Sequence, residues 1–319
     1  MTLLIAPDSF KGTYSALEVA EAIARGAGGA DVCPVGDGGE GTLDAILAAH
    51  GGTTHELRVR DPLGREVAAE LGIIASGEVA VVEMAAAGGL GLVAPDERDA
   101  EAASTYGVGE LISLAIDSGV RQVIVTVGGS ATTDGGAGAI EAIEARGGLR
   151  GAEIIVVCDV TTPFERAAAV YAPQKGASPE AVERLTARLD ALAQTFPRDP
   201  RGVAMTGAAG GLSGGLWAQY GAALVPGASW VLDAVGFDGR LARASAVVTG
   251  EGRLDAQTFE GKLVGEVAAR ARAAGKPVHA VVGSSDLSPS QAAELGLASV
   301  TVASDLPALE AAGAALASG

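Results

Sequence analysis

Short apolar runs alternate with amphipathic stretches along most of the chain. The runs at 3–6, 32–35, 122–127, 153–158, 246–249, 277–282 and 299–303 have the length of strands. Between them, 15–25, 39–50, 106–118, 137–145, 178–196, 262–274 and 290–295 carry apolar residues at helical spacing, and an Ala-rich helix closes the chain. Strands alternating with helices predict parallel sheet with helices on both faces. One segment breaks the rhythm. Residues 56–60, 67–74 and 79–84 alternate or run apolar, with turn signals Asp61-Pro62-Leu63-Gly64 and Ser76-Gly77 between them, which predicts antiparallel hairpins. Residues 203–243 are rich in glycine and read as helical, with tight loops.

The hairpin segment interrupts an otherwise continuous βα order, so the expected fold is α/β with one unit inserted into another. The first is a Rossmann/flavodoxin-like parallel-sheet domain, helices on both faces, built from 1–60 and 241–319. The second is a mixed-sheet α/β domain at 61–240.

Composition narrows the function classes. Aromatics make up 3% of a chain that is 48% hydrophobic, so the interior must be aliphatic. The net charge is −17 and no basic run occurs, which argues against nucleic acid or an anionic membrane as partner. Cys33 and Cys158 are far apart in apolar runs and read as buried thiols of a reducing compartment. With no basic, apolar leader at the N-terminus, a cytoplasmic location is expected. The stretch 202–232 has no charge, yet its eight glycines and Pro226 suit a buried helix with tight loops better than a membrane span.

In open α/β sheets ligands bind at the carboxyl ends of strands. Four of the segments that follow predicted strands look alike. They are Pro7-Asp8-Ser9-Phe10-Lys11-Gly12, Gly36-Asp37-Gly38-Gly39-Glu40-Gly41-Thr42, Gly128-Gly129-Ser130-Ala131-Thr132-Thr133-Asp134-Gly135-Gly136 and Gly250-Glu251-Gly252-Arg253-Leu254-Asp255. Glycines let backbone N–H groups approach an anion, and a following helix N-terminus adds its positive end. A carboxylate beside an anion site is repelled unless it holds a cation or takes a proton. Phosphoryl transfer uses those parts together. Gly and Asp are also ordinary turn and cap residues, so each loop taken singly has a structural reading.

Other motifs weigh less. Gly261-Lys262 is followed by Leu263, so no Walker A loop is present. The 36–41 turn matches G-x-G-x-x-G, but Asp37 and Glu40 stand where a pyrophosphate would sit. Gly211-Leu212-Ser213-Gly214-Gly215 matches G-x-S-x-G without a clear strand before it. The three histidines lie outside the Gly-Asp loops, which leaves carboxylates as bases.

With Tyr171-Ala172-Pro173-Gln174-Lys175-Gly176-Ala177, the turn at 61–65 and the run 249–258, these loops make the sequence resemble the class I glycerate kinases from its first strand to nearly its last. The resemblance implies ATP and Mg2+, D-glycerate as acceptor, phosphoglycerate as product (2-phosphoglycerate before 3-phosphoglycerate), and a site in the cleft between two α/β domains.

Asp8, Asp37, Asp134 and Asp255 are candidates for metal ligand and general base. Asp134 is favoured as base because it follows a Ser/Thr cluster and opens a helix. Lys11 and Asp8 join it as catalytic candidates, and Glu251 with Asp255 would hold Mg2+. Arg65 and Arg253 are candidates for the substrate carboxylate, with Ser130, Thr132 and Thr133 as hydroxyl donors. Asp37, Gly38, Gly39, Gly41, Gly128, Gly129, Gly135, Gly250, Gly252 and Lys175 are expected on the nucleotide. A homo-oligomer is compatible with the sequence. The rival readings are a kinase for another small hydroxy acid, a non-catalytic binding protein on the same fold, and a nicotinamide-dependent oxidoreductase.

Overall fold

A computed structural model describes residues 2–10, 12–255, 258 and 262–318. The chain forms two compact units, one of 1–37, 44–50 and 228–319, the other of 38–43 and 51–227. The second is inserted into the first, as the interrupted βα rhythm predicts. Its border falls at 51 and not at 60 because residues 52–60 form a strand of the second unit's sheet.

The sheet of the first unit is wholly parallel. It contains β1 (Leu3–Pro7), β2 (Asp31–Val32), β9 (Ala246–Gly250), β11 (Val278–Val282) and β13 (Leu297–Val302), in the order β13-β11-β9-β1-β2. All five residues of β1 and of β9 are buried, which is why both read as unbroken apolar runs. Helices Ala16–Gly26 and Leu306–Ser318 lie side by side over a core of Leu3, Ile5, Val19, Ile23, Val248 and Leu309. Small residues allow this approach. A Cβ on Gly313 would lie 2.0 Å from the Ile23 carbonyl oxygen. Ser15 starts the first helix with a capping box: its Oγ accepts from the Glu18 N–H, and its own N–H donates to Glu18 Oε2. A two-residue parallel ladder, β10 (Arg253–Leu254) with β12 (Ser284–Ser285), ties two loops of this unit together.

The second unit has a six-stranded mixed sheet in sequence order: β3 (Gly52–Arg60), β4 (Glu66–Ile74), β5 (Val79–Glu83), β6 (Gln122–Thr126), β7 (Glu153–Cys158) and β8 (Ala223–Pro226). The pairs β3–β4 and β4–β5 are antiparallel, and the pairs from β5 to β8 are parallel. Its core joins Val82, Val123, Val125 and Val156 to Val108, Leu111 and Ile112 of helix Tyr106–Asp117, to Ile143 of Ala137–Ala145 and to Leu216 of Leu212–Tyr220. Helix Pro179–Ala193, capped by Ser178, covers a separate cluster around Phe164, Leu185 and Leu189.

The stretch 203–243 corrects the sequence reading. It is not helical throughout, because β8 interrupts it and pairs with β7 from Ala223 opposite Ile155 to Pro226 opposite Cys158. Four apolar residues carry no periodicity that separates strand from helix. Pro226, lacking an N–H, is tolerated because β8 is an edge strand. Ser213 of the G-x-S-x-G match is fully buried, its hydroxyl donating to the carbonyls of Met205 and Ala208. Both cysteines are buried and unbridged. Among the described residues, no helix is long and apolar enough to cross a membrane.

Candidate active site

In the first unit, β1 and β9 end side by side with Pro7 opposite Gly250. Asp8 and Glu251 therefore leave the sheet at one carboxyl edge. The Asp8 N–H donates to the Gly250 carbonyl at 2.8 Å, and Asp8 Oδ1 accepts from the Ser9 N–H at 2.7 Å. Beyond β2 the chain stays against β1: the N–H groups of Cys33 and Val35 donate to the carbonyls of Ile5 and Pro7. That path carries Asp37 to the same edge. Asp8 and Asp37 are 5% and 8% exposed, so this edge holds nearly dry carboxylates.

The loop after β9 is fastened by backbone bonds. The N–H groups of Gly283, Ser284 and Asp286 donate to the carbonyls of Glu251, Gly252 and Leu254. Glu251 Oε1 accepts from Thr258 Oγ1 at 3.0 Å. Burial holds the Glu251 carboxyl above the usual carboxylate range; the Thr258 bond and Lys262 pull it down, while Asp255 and Asp37 push it up. A carboxylate in that position is relieved either by a proton or by a cation.

In the second unit, the segment 38–41 is strapped onto the end of β6. The Gly38 carbonyl accepts from the N–H of Val127 at 3.1 Å and of Gly128 at 3.4 Å. A Cβ on Gly128 would lie 2.6 Å from Gly39 Cα, and one on Gly38 2.9 Å from Val157 Cγ1. Gly41, Gly129 and Gly135 have positive φ. In the first unit, a Cβ on Gly250 would meet the Val281 carbonyl oxygen at 1.9 Å. Close packing and backbone geometry thus account for these glycines before any phosphate is considered. Glu83, at the end of β5, accepts the Leu43 N–H at 2.8 Å.

A cavity of about 270 Å³ opens at the carboxyl ends of β6 and β7 in the second unit, lined by Gly128, Gly129, Ser130, Asp159, Tyr171 and Gln174 among others. A larger one, about 830 Å³, surrounds the starts of β5, β6 and β7, where none of the expected site residues falls. Asp159 was not singled out from the sequence, although it follows β7 directly and obeys the same strand-end rule.

Asp134 is placed differently from expectation. It is 2% exposed. Its Oδ2 accepts from the N–H and Oγ1 of Thr105, both at 2.8 Å, and from the Gly138 N–H at 3.2 Å; its Oδ1 accepts from the Gly136 N–H at 3.1 Å. Thr105 Oγ1 in turn accepts from the Ala139 N–H. One carboxylate thus ties together the N-termini of two helices, Tyr106–Asp117 and Ala137–Ala145. This is the arrangement of a buried cap and not of a base waiting for a substrate hydroxyl.

The two arginines are also committed. Arg65 Nε lies 2.6 Å from Asp61 Oδ2 and its Nη1 3.0 Å from Glu97 Oε2, which braces the 61–65 turn. Arg253 Nε and Nη2 both donate to Asp286 Oδ2 across the β10–β12 ladder. Thr132 and Thr133 are fully buried, and neither hydroxyl has a hydrogen-bond partner among the described residues. Lys175 is 1% exposed, with Nζ donating to Ser130 Oγ at 2.8 Å and to the Thr132 carbonyl at 2.5 Å. Burial lowers its pKa to about 7 against the opposing pull of Asp134. Lys11 lies outside the described residues.

Asp8, Asp37, Glu251 and Asp255 thus gather in the first unit. Ser130, Thr132, Thr133, Asp134 and Lys175 gather in the second. Arg65 and Arg253 stand in ion pairs of their own.

A family description, "Glycerate kinase family", matches residues 3–148 and 144–317. The chain belongs to the glycerate kinase family. It is 41% identical to a glycerate kinase of Bacillus subtilis (strain 168) and 38% identical to a glycerate 2-kinase of Escherichia coli (strain K12), each comparison covering 89% of this chain and 85% of the relative. A crystal structure from Salmonella typhimurium LT2, assigned provisionally as glycerate kinase 2, superposes with a TM-score of 0.84 at 37% identity. It covers 100% of this chain and 97% of that one. The two α/β units described above are the glycerate kinase fold, mixed sheet and parallel sheet included.

Proposed function

We propose that this protein is an ATP-dependent D-glycerate kinase that forms 2-phosphoglycerate. The observation that carries the reading is its nearly full-length similarity to a glycerate 2-kinase. The glycine-and-carboxylate loops at the strand ends supply chemistry of the right kind.

The reaction needs a carboxylate to take the proton of the attacking hydroxyl. The bond from that oxygen to the γ-phosphorus forms, the bond to the β–γ bridging oxygen breaks, and ADP leaves. We assign the proton to Asp8. Support comes from its place at the carboxyl edge where Asp37 and Glu251 gather, and from the occupation of Asp134 by four donors.

Among the described residues, no three His, Cys, Asp or Glu side chains form a ready cation cage. Mg2+ characteristically takes one or two carboxylates and fills its other positions with phosphate oxygens and water. Glu251, raised by burial beside Asp255, fits that demand. Those two residues would hold the ion, which when bound neutralises charge on the triphosphate. The protein's own part is to fasten the loop by the 283–286 backbone bonds and to hold the Glu251 carboxylate by the Thr258 hydroxyl.

The test is a phosphorus NMR spectrum of the product from D-glycerate and MgATP. The expected signal is 2-phosphoglycerate. A 3-phosphoglycerate product removes the regiochemistry, and ADP formation that ignores glycerate removes the acceptor.

A further inference from the structure

Lys175 is expected from the sequence to touch nucleotide, but it is buried beneath the loop after β6. Its Nζ reaches two atoms of that loop, Ser130 Oγ and the Thr132 carbonyl oxygen. A carbonyl and a hydroxyl oxygen both accept here, so the amine is the donor in both bonds. The Ser130 hydroxyl oxygen is thereby engaged from below, and its own proton is left to donate elsewhere. Ser130 lines the 270 Å³ cavity together with Gly128 and Gly129.

The lysine is boxed in by other groups. Gly176 has φ of +91°, and a Cβ there would lie 2.9 Å from the Arg98 carbonyl oxygen, so the 98–99 segment closes over this turn. Arg98 and Asp99 line the same small void as Lys175, and Asp134 is the carboxylate whose charge reaches it. A fully buried amine with a single carboxylate pulling on it is a poor device for stability. Two directed bonds to one loop suit it to setting that loop's geometry.

We propose that Lys175 is a positioning residue whose buried amine aims the Ser130 hydroxyl as a donor to an anionic oxygen in the cavity at the end of β6. This deepens the kinase reading and rests on it. The anionic oxygen belongs either to the carboxylate of the hydroxy acid or to a phosphate of the nucleotide. A protonated Lys175 adds positive charge behind Ser130, so the anion is held more tightly below pH 7 than above it. Arg98, Asp99 and Asp134 are the charged groups that set the background for that titration.

The experiment uses the whole protein with two variants, Lys175→Met and Ser130→Ala. Thermal-shift titrations with D-glycerate alone and with ATP alone come first, followed by KM for each at pH 6 and pH 8. Ser130→Ala should weaken one of the two ligands about tenfold or more, the cost of losing a donor to a charged group, while kcat falls less. Lys175→Met should weaken the same ligand. It should also flatten the wild-type rise of that ligand's KM between pH 6 and pH 8. The double variant should be no weaker than the worse single one.

A glycerate effect assigns the acceptor carboxylate, and an ATP effect assigns a phosphate. If Lys175→Met does not fold, Ser130→Ala alone decides. The proposal is overturned if Ser130→Ala binds both ligands within twofold of wild type. It is equally overturned if Lys175→Met keeps the wild-type pH profile. Loss of the kinase reading would look different: ligand-induced shifts would respond to the variants while wild type failed to phosphorylate glycerate.

Discussion

Replacing Asp134 separates a cap from a base. In Asp134→Ala, the N–H groups of Thr105, Gly136 and Gly138 lose their acceptor, and the Thr105 hydroxyl loses its own. Each buried donor left without a partner costs about 1–3 kcal/mol. Water entering the space offsets part of that sum, so the expected loss is roughly 3–5 kcal/mol, the range reserved for broken buried networks. For a domain of this size, each kcal/mol lowers the midpoint by about 2–4 °C. The second unit should therefore melt roughly 6–20 °C lower. Asp134→Asn keeps one oxygen for the three Oδ2 bonds but turns its amide toward the Gly136 N–H, donor against donor. It should cost about 1–3 kcal/mol. The assay is calorimetric or circular-dichroism melting beside MgATP–glycerate turnover. An Asp134→Ala protein that melts within 2 °C of wild type, about 1 kcal/mol or less, while turnover falls a thousandfold would refute the cap. It would restore Asp134 as the proton acceptor.

Three further outcomes are expected. Lys175 binds its proton with a pKa of about 7 when folded and 10.5 when free. Between those values the unfolded chain holds the proton and the folded one does not, so stability rises with pH across the window. The gain is on the order of 5 kcal/mol, and it should appear as a wild-type minus Lys175→Met difference in chemical denaturation from pH 7 to 10.5. Glu251 has the opposite sign, because its folded pKa lies above 4.5 and stability falls as pH rises past that value. Glu251→Gln should raise the metal-free melting midpoint at neutral pH and abolish any further rise on adding Mg2+; an undiminished Mg2+ response would remove Glu251 from the metal set. Glycines divide by their surroundings. Gly313→Ala, whose Cβ would lie 2.0 Å from the Ile23 carbonyl oxygen, should cost about 1–3 kcal/mol. Gly239→Ala, in helix Phe237–Leu241 with open space around it, should gain about 0.5–1 kcal/mol.

Much of the architecture is legible without coordinates. Strands such as β1 and β9 are buried on both faces, so their apolar runs carry the assignment themselves. Hairpin β3–β4 announces itself by Asp61-Pro62-Leu63-Gly64, whose carboxylate holds the turn through the N–H groups of Leu63 and Arg65. Family membership is equally legible, because long motifs in order survive as local chemistry. Strand β8 is not, since four apolar residues beside a proline have no period to read and are decided by pairing with β7.

The roles of single residues belong to tertiary structure. Asp134 opens a helix in both readings; only the arrival of Thr105 from a loop distant in sequence fills its lone pairs. Arg65 and Arg253 have the chemistry of carboxylate clamps, yet Asp61, Glu97 and Asp286 are carboxylates too, and they arrive first. Lys175 is expected on the nucleotide until the loop after β6 and the 98–99 segment close over it. Local pattern fixes what a residue can bind, because that depends on its own atoms and its immediate neighbours. Which partner it meets depends on contacts across many tens of residues, and those exist only in the folded chain.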